Sequence, residues 1–133
     1  MKSIKKFKFS AEELPLKERR GFERLVSACE LIDPLYLAQK NEKYPGANFY
    51  PHNAAKEEIE KESRKNPLIL NPYTFVERNK KGKLTAIPYH IKFKKELKPI
   101  ANLIEEAAEL SEDKNFSRYL KGRAKSLING NYG

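Results

Sequence analysis

The stretch from Tyr73 to Tyr89 constrains the fold of this chain more than any other part of its sequence. Two runs rich in β-branched and aromatic residues flank the segment Asn79-Lys80-Lys81-Gly82. This pattern predicts a β-hairpin whose turn holds Gly82 in a left-handed conformation. A two-stranded ribbon is not stable alone in water. We therefore expect the hairpin to pack on helices or to pair with a further strand.

Most of the remaining sequence has apolar residues at helical spacing. The sequence therefore predicts an α+β fold that is mainly helical, with about five helices around one central β-hairpin and an αα-hairpin at the C-terminus. A chain of 133 residues fits one domain, which we expect to span residues 1–133. Residues 1–13 are basic and mixed, and they are predicted to form an arm or an edge strand.

The first predicted helix follows Pro15 and has an apolar stripe at three-and-four spacing. Cys29 lies on this stripe, so we expect a buried, inert thiol rather than a nucleophile. The pair Asp33-Pro34 is predicted to end this helix and to begin another that runs to about Lys43, followed by a loop. The stripe consists of Phe22, Leu25, Val26, Cys29 and Ile32.

A polar helix is predicted from Ala54 to Arg64, with Asn53 as its cap and Ile59 as its apolar anchor. It carries an acidic cluster that we expect to be a solvated face. The cluster consists of Glu57, Glu58, Glu60 and Glu62.

Two further helices are predicted in the last third of the chain. Pro99 indicates that the first of them starts near Lys98 or is kinked there. Ser111 is expected to cap the second helix, and Asn129-Gly130 is expected to end it. The first has the strongest apolar stripe, formed by Leu97, Ile100, Ala101, Ile104, Ala107 and Ala108. The expected buried face of the second consists of Phe116, Tyr119, Leu120, Ala124 and Leu127.

The chain carries a formal net charge of +9, and basic residues are concentrated around the hairpin. A basic hairpin with aromatic neighbours favours one alternative function, an independent nucleic-acid-binding module. Lysine-rich turns are also common simply because they keep an exposed edge soluble. The patch consists of Arg78, Lys80, Lys81, Lys83, Lys92, Lys94, Lys95 and Lys98.

No self-contained active site is visible in the sequence. The chain has two histidines and one cysteine, without a His-Glu-x-x-His or Cys-x-x-Cys pattern, so we expect no metal or other cofactor in this chain. The single cysteine and the lack of an apolar run of about 20 residues favour a cytoplasmic protein that does not enter a membrane.

Several short motifs occur in the same order as in a known protein family. They resemble the N-terminal region of bacterial proteins similar to dipeptidyl peptidase III, a family of zinc metallopeptidases, over residues 20–132. The motifs are Ile32-Asp33, Leu35-Tyr36-Leu37-Ala38-Gln39, Asn48-Phe49-Tyr50-Pro51, Lys56-Glu57-Glu58-Ile59-Glu60, Asn71-Pro72-Tyr73-Thr74, Ile87-Pro88-Tyr89-His90 and Ile104-Glu105-Glu106-Ala107-Ala108.

This resemblance implies a non-catalytic N-terminal domain of a zinc hydrolase, which helps to form one wall of a peptide cleft. The family binds zinc through a His-Glu-x-x-Gly-His helix and a downstream glutamate, and neither has a counterpart here. Zinc is therefore expected only in the remainder of such a protein. That remainder would be the partner, in cis or as a separate chain, and a peptide would be the substrate. Tyr89 and His90 are the candidates for residues that face the cleft.

The sequence ends at Asn131-Tyr132-Gly133, directly after the last predicted helix. This ending fits a complete domain, and it fits equally a piece of a longer peptidase-like protein.

Overall fold

The computed structural model describes residues 14–39 and 50–133. They form the predicted α+β fold, which is mainly helical, with five α-helices, one 3₁₀-helix and one antiparallel β-hairpin. Within these residues no helix is both long enough and apolar enough to cross a membrane. The elements are α1 (Leu16–Gln39), α2 (Lys56–Lys65), the 3₁₀-helix (Pro67–Leu70), β1 (Thr74–Arg78), β2 (Leu84–Pro88), α3 (Tyr89–Lys92), α4 (Lys94–Leu110) and α5 (Lys114–Asn129).

Three expectations fall on other residues. The arm or edge strand at 1–13, the helix end near Lys43 and the loop at 44–48 lie outside the described part of the chain.

Helix α4 is the centre of the helical core, because both α1 and α5 pack against it. Its predicted stripe is confirmed: Ile100 is completely buried, and Ile104 is half-buried where all three helices meet. Helices α4 and α5 form the predicted αα-hairpin. The buried members of the stripe are Leu97, Ile100, Ala101, Ala107 and Ala108.

Helix α1 meets α4 through small residues, and this corrects the predicted position of Cys29. Gly21 and Ala28 are the buried residues of α1, whereas Cys29 is exposed. A Cβ atom at Gly21 would lie 3.4 Å from the Cβ of Leu110, so the two helices approach closely there. The prediction failed because large apolar residues defined the stripe, while the closest packing uses the smallest ones.

The predicted helix break at Asp33-Pro34 is also wrong, since α1 continues through Pro34 to Gln39. Proline lacks an N–H group, so the carbonyl of Glu30 loses its helical partner. Both residues are exposed, and water can hydrate that carbonyl. Beyond the proline, Leu35 packs on the core formed with α4, which holds the last turns of α1 in place.

A second, smaller core holds the hairpin against α2 and the 3₁₀-helix. It is built on Ile69, Val76 and Leu84, with Ile59 packed against it, so the expected anchoring role of Ile59 is confirmed. The buried hydroxyl of Thr74 lies 2.8 Å from the carbonyl oxygen of Leu68. This contact fixes the 3₁₀-helix to the start of β1.

The hairpin turn is built as the sequence predicts. Gly82 has a φ of +76°, and apart from its own residue and its two chain neighbours no atom would lie within 4 Å of an added Cβ. The side-chain oxygen of Asn79 accepts hydrogen bonds from the backbone N–H groups of Lys81 and Lys83. Strand pairing runs from Thr74 opposite Pro88 to Arg78 opposite Leu84.

Helix α4 begins earlier than predicted, at Lys94 rather than near Lys98, and Pro99 lies inside it. Its first turns continue from α3, because the N–H of Phe93 donates to Tyr89 and the N–H of Leu97 donates to Phe93. Pro99 is exposed, as is Lys95, whose carbonyl loses its helical partner.

The start and the apolar face of α5 differ from prediction, and its end agrees. Asp113, not Ser111, caps the helix, because its carboxylate accepts hydrogen bonds from the backbone N–H groups of Asn115 and Phe116. Phe116 and Tyr119 are 44% and 57% exposed, whereas Leu120 and Ala124 are buried as expected. Gly130 ends the helix in the left-handed conformation.

Candidate functional site

Aromatic side chains cluster at the base of the hairpin, where it meets α1, α3 and the C-terminal segment. The rings of Tyr73 and Tyr132 stack with their centroids 4.7 Å apart. The hydroxyl of Tyr89 donates to the side-chain oxygen of Gln39 at 2.9 Å, and the Tyr89 ring packs on Phe93. Tyr89 therefore joins the start of α3, directly after β2, to the last turn of α1.

Two phenols of this cluster, those of Tyr89 and Tyr132, have pKa values above that of free tyrosine. Partial burial raises the pKa of Tyr89, and the nearby Tyr132 adds to the rise. Partial burial also raises the pKa of Tyr132, with a further contribution from Tyr73. Both phenols are neutral below about pH 10, the ordinary pKa of tyrosine. Because their pKa values are higher in the folded state, the free energy of unfolding is expected to decrease as the pH rises from that value through the folded pKa values.

His90, the second residue expected to face a cleft, packs against the end of α5. A Cβ atom added to Gly130 would collide with the imidazole ring of His90. The side chain is half-buried there. Gly130 thus provides both a left-handed helix end and the space that the histidine ring occupies.

A cavity of about 430 Å³ lies beside the hairpin, between the end of α1, the segment 50–53 and strand β1. We call it the hairpin cavity. Gln39 lines this cavity, and the hydroxyl of Tyr89 is hydrogen-bonded to the Gln39 carboxamide. Tyr89 is thus connected to the cavity indirectly. The described residues that line it are Ala38, Gln39, Tyr50, Pro51, His52, Asn53, Phe75, Val76, Glu77 and Arg78.

Arg78 has several polar partners at the cavity wall. Its Nη1 and Nη2 atoms lie 2.6 and 2.8 Å from the two carboxylate oxygens of Glu58. Its Nε donates to the Asn53 side chain at 3.0 Å, and Nη1 also donates to the carbonyl of Gly82 at 2.8 Å. One guanidinium therefore joins the segment before α2, α2 itself and the hairpin turn.

This network corrects two expectations. Asn53 does not cap a helix, because α2 starts at Lys56 and its N-cap, Ala55, offers no side-chain hydrogen bond. The acidic face is not wholly solvated either, since Glu58 is 34% exposed and bound to Arg78. The hydrogen bond from Arg78 lowers the pKa of the Glu58 carboxyl below its ordinary value.

The eight residues of the predicted basic patch are divided by the structure. Arg78 and Lys92 are bound to Glu58 and Glu77, with Lys92 Nζ 2.7 Å from the carboxylate of Glu77. The turn of the hairpin carries three exposed lysines, and the first turns of α4, beyond the opposite end of the strands, carry the other three. This division gives the nucleic-acid alternative no support. The lysines are Lys80, Lys81 and Lys83 at the turn and Lys94, Lys95 and Lys98 on α4.

The described residues do not fit a zinc site. Among residues 14–39 and 50–133, no three His, Cys, Asp or Glu side chains lie close enough together to hold a metal ion. His52 is exposed on the cavity rim, while His90 lies against Gly130.

Sequence reasoning missed the link between Arg78 and Glu58 and the role of Gln39. Glu58 lies 20 residues from Arg78, and Gln39 lies 50 residues from Tyr89. No local spacing rule connects residues so far apart. The acidic cluster in a basic chain is a signal that can point to basic partners, but the sequence analysis interpreted it as a solvated face.

Solved structures of peptidases share this fold. DPP III from Caldithrix abyssi matches 93% of this chain with a TM-score of 0.79 at 22% sequence identity. Dipeptidyl-peptidase III from Corallococcus sp. strain EGB matches 94% with a TM-score of 0.76 at 23% identity. The match spans 33% of each of those chains, so this chain corresponds to about a third of their length. The resemblance seen in the sequence is thus confirmed for the fold.

No protein-family model matches the sequence, and neither does any curated protein.

The ion pair between Arg78 and Glu58 predicts a specific loss of stability in acid. Because the pKa of Glu58 is lowered by folding, the pair stabilises the fold above the ordinary carboxyl pKa and is lost as the pH falls through the lower folded value. We expect Glu58→Gln to destabilise the protein near neutral pH and to have a smaller effect at about pH 3. Urea unfolding midpoints at both pH values measure this.

The exposed Glu57→Gln is the matched control, with an unfolding midpoint close to that of the wild type at both pH values. An equal loss for Glu58→Gln at both pH values would contradict an ionic role for this carboxylate.

The two left-handed glycines predict a graded pair of alanine variants. Gly82→Ala meets no neighbouring atom, so it carries only the conformational cost of about 1–2 kcal/mol. Gly130→Ala carries a similar cost and also collides with His90, so we expect it to be the more destabilising variant. Thermal unfolding of both variants measures the difference.

Replacing His90 with alanine in the Gly130→Ala background removes the collision. We expect His90→Ala to lower the unfolding temperature less in the Gly130→Ala background than in the wild-type chain. Additive effects of the two substitutions would mean that His90 and Gly130 do not pack together.

Proposed function

We propose that this chain is the N-terminal domain of a DPP III-like zinc hydrolase, in which it forms one wall of a peptide cleft without carrying catalytic groups. The observation that carries the proposal is the fold match over 93% of this chain and 33% of the Caldithrix abyssi chain. A domain that corresponds to a third of a peptidase is expected to work together with the other two thirds.

The hairpin cavity supports the role of a cleft wall. Within the described residues β1 pairs only with β2, and its other edge borders the cavity. An extended peptide can bind along such an edge through main-chain hydrogen bonds, while neighbouring pockets take alternate side chains. Phe75 provides an apolar surface there, and Gln39 and His52 provide polar groups.

Of the two predicted cleft residues, Tyr89 has the closer connection to this wall. Its hydroxyl holds the Gln39 carboxamide at the cavity, so Tyr89 would be a positioning residue rather than a direct contact. His90 is absent from the described lining of the cavity, and its ring packs on Gly130. We assign His90 to the support of the wall.

The proposal places zinc and the groups that activate water in the remainder of the protein. It follows from the poor fit of the described residues to a metal site and from the fraction of the DPP III chain that this fold covers. The remainder is the partner, in cis or as a separate chain, and the substrate is a peptide.

The proposal is tested by isolating the protein from its source with an antibody against this chain. We expect a polypeptide or a tight complex about three times the mass of this chain, since the match spans 33% of the DPP III chain. It should contain stoichiometric zinc and release dipeptides from peptide N-termini. The measurements are native mass spectrometry, metal analysis and a peptidase assay.

A species with the mass of this chain alone and without zinc would overturn the proposal. A larger assembly that contains no metallopeptidase sequence would overturn it equally.

The role as a cleft wall predicts the effect of filling the hairpin cavity. His52 is exposed on its rim, so His52→Trp should obstruct a peptide without disturbing either core. In the isolated assembly we expect a severalfold higher KM with unchanged zinc content. Lys81→Trp, on the exposed hairpin turn, is the control and should leave KM unchanged.

Equal KM values for both variants would exclude the hairpin cavity from the cleft. That result would leave the membership in a DPP III-like protein intact.

A further inference from the structure

Another concave surface lies on the helical core, between α1 and α5. Both helices pack on α4, and the groove between them has a volume of about 320 Å³. We call it the α1–α5 groove. Leu25 and Ile32 line it from α1, Ile104 from α4, and Tyr119 and Leu127 from α5.

Large apolar side chains along this groove remain exposed. Tyr119 is 57% exposed and Ile32 is 38% exposed. Tyr36, one turn beyond Ile32 on the same face of α1, is 47% exposed. Phe116 is 44% exposed and stacks on Tyr119 with ring centroids 6.4 Å apart. An apolar groove with such exposed flanks is typical of a surface that another structural element covers.

Helix α5 is basic, and one of its basic side chains, Arg123, lines the groove. Helix α5 contains five Lys or Arg residues and no Asp or Glu. The guanidinium of Arg123 lies over the ring of Tyr119, 5.4 Å from its centroid, and lines the groove. Within the described ranges Arg123 makes no ion pair. An element that covers the groove can therefore supply a carboxylate to Arg123.

We propose that the α1–α5 groove docks an amphipathic segment with acidic residues, contributed by the part of the DPP III-like protein that lies outside this chain. The inference rests on the proposed function. About two thirds of each solved DPP III chain has no counterpart in this fold, so this domain must offer that remainder an interface. The groove provides the apolar area, and Arg123 provides a specific charge partner.

Charge distinguishes this occupant from two others. Residues 1–13 contain four lysines and two glutamates, so this segment brings a net positive charge to a basic surface. A second copy of the chain carries a net charge of +9 and would place basic surfaces together. An acidic segment from outside the chain complements α5 where the other two repel it.

The test uses the assembly as isolated from its source, with a photoreactive benzoylphenylalanine at position 119. The aromatic replacement is conservative at this exposed site. We expect crosslinks to an acidic, amphipathic peptide of the metallopeptidase remainder, identified by mass spectrometry. The same group at Ile91, an exposed position on α3 that does not line the groove, is the control and should not crosslink to that peptide.

A charge reversal tests the role of Arg123. We expect Arg123→Glu to reduce the crosslinking yield severalfold, while Lys81→Glu, an equal change on the hairpin turn, leaves it unchanged. Circular dichroism of both variants shows whether the fold is retained. If Arg123→Glu fails to fold, Arg123→Gln provides the same comparison with a smaller expected effect.

Several outcomes would overturn the proposal. They are crosslinks from position 119 to residues 1–13, to a second copy, or to no protein within an intact assembly. These results would leave the proposed function standing, because that function is decided by the mass, zinc content and peptidase activity of the assembly. An isolated 133-residue chain with no partner would overturn both.

Discussion

The packing of α4 on two sides is the interaction on which the rest of the fold depends. Ile100 is completely buried, and the neighbouring alanines allow both α1 and α5 to approach the α4 backbone closely. Burial of such a side chain contributes about 1.5–3 kcal/mol, so a stripe of this kind dominates the stability of a small domain. Because α1 and α5 both use α4, neither needs an extensive contact with the other.

Helix α4 also connects the helical core to the hairpin. Phe93, at its N-terminal end, packs on the helical core and meets Phe75 of β1 edge to face, with ring centroids 5.8 Å apart. Tyr89 continues this contact to Gln39 at the end of α1. Two of the elements that frame the hairpin cavity, the end of α1 and strand β1, are therefore joined to α4 through these contacts.

Much of the fold is predictable from the sequence, because its signals are local. The hairpin turn at Gly82, the apolar stripe of α4 and the helix end at Gly130 each follow from a few neighbouring residues. The wrong predictions concern positions where a contact with a residue distant in the sequence determines the local structure. Packing of Leu35 carries α1 through Pro34, and close contact at Gly21 turns Cys29 towards solvent.

The candidate site is less predictable than the fold for the same reason. Tyr89 belongs to a short motif that the sequence makes visible, but its hydrogen-bond partner Gln39 lies 50 residues away. Arg78 was assigned to a basic patch, whereas Glu58 and Asn53 bind it across 20 and 25 residues. Helical and strand periodicity describes which face is buried, and it contains no information about which polar groups meet.

The central position of α4 has a consequence for the order of folding. The αα-hairpin of α4 and α5 closes a connection of only a few residues, and so does the β-hairpin, whereas α1 lies more than 50 residues before α4. The entropy of loop closure makes the short-range contacts the faster ones to form. We therefore expect docking of α1 to be the late step that completes the core, and to add one side of the hairpin cavity and one side of the α1–α5 groove at the same time.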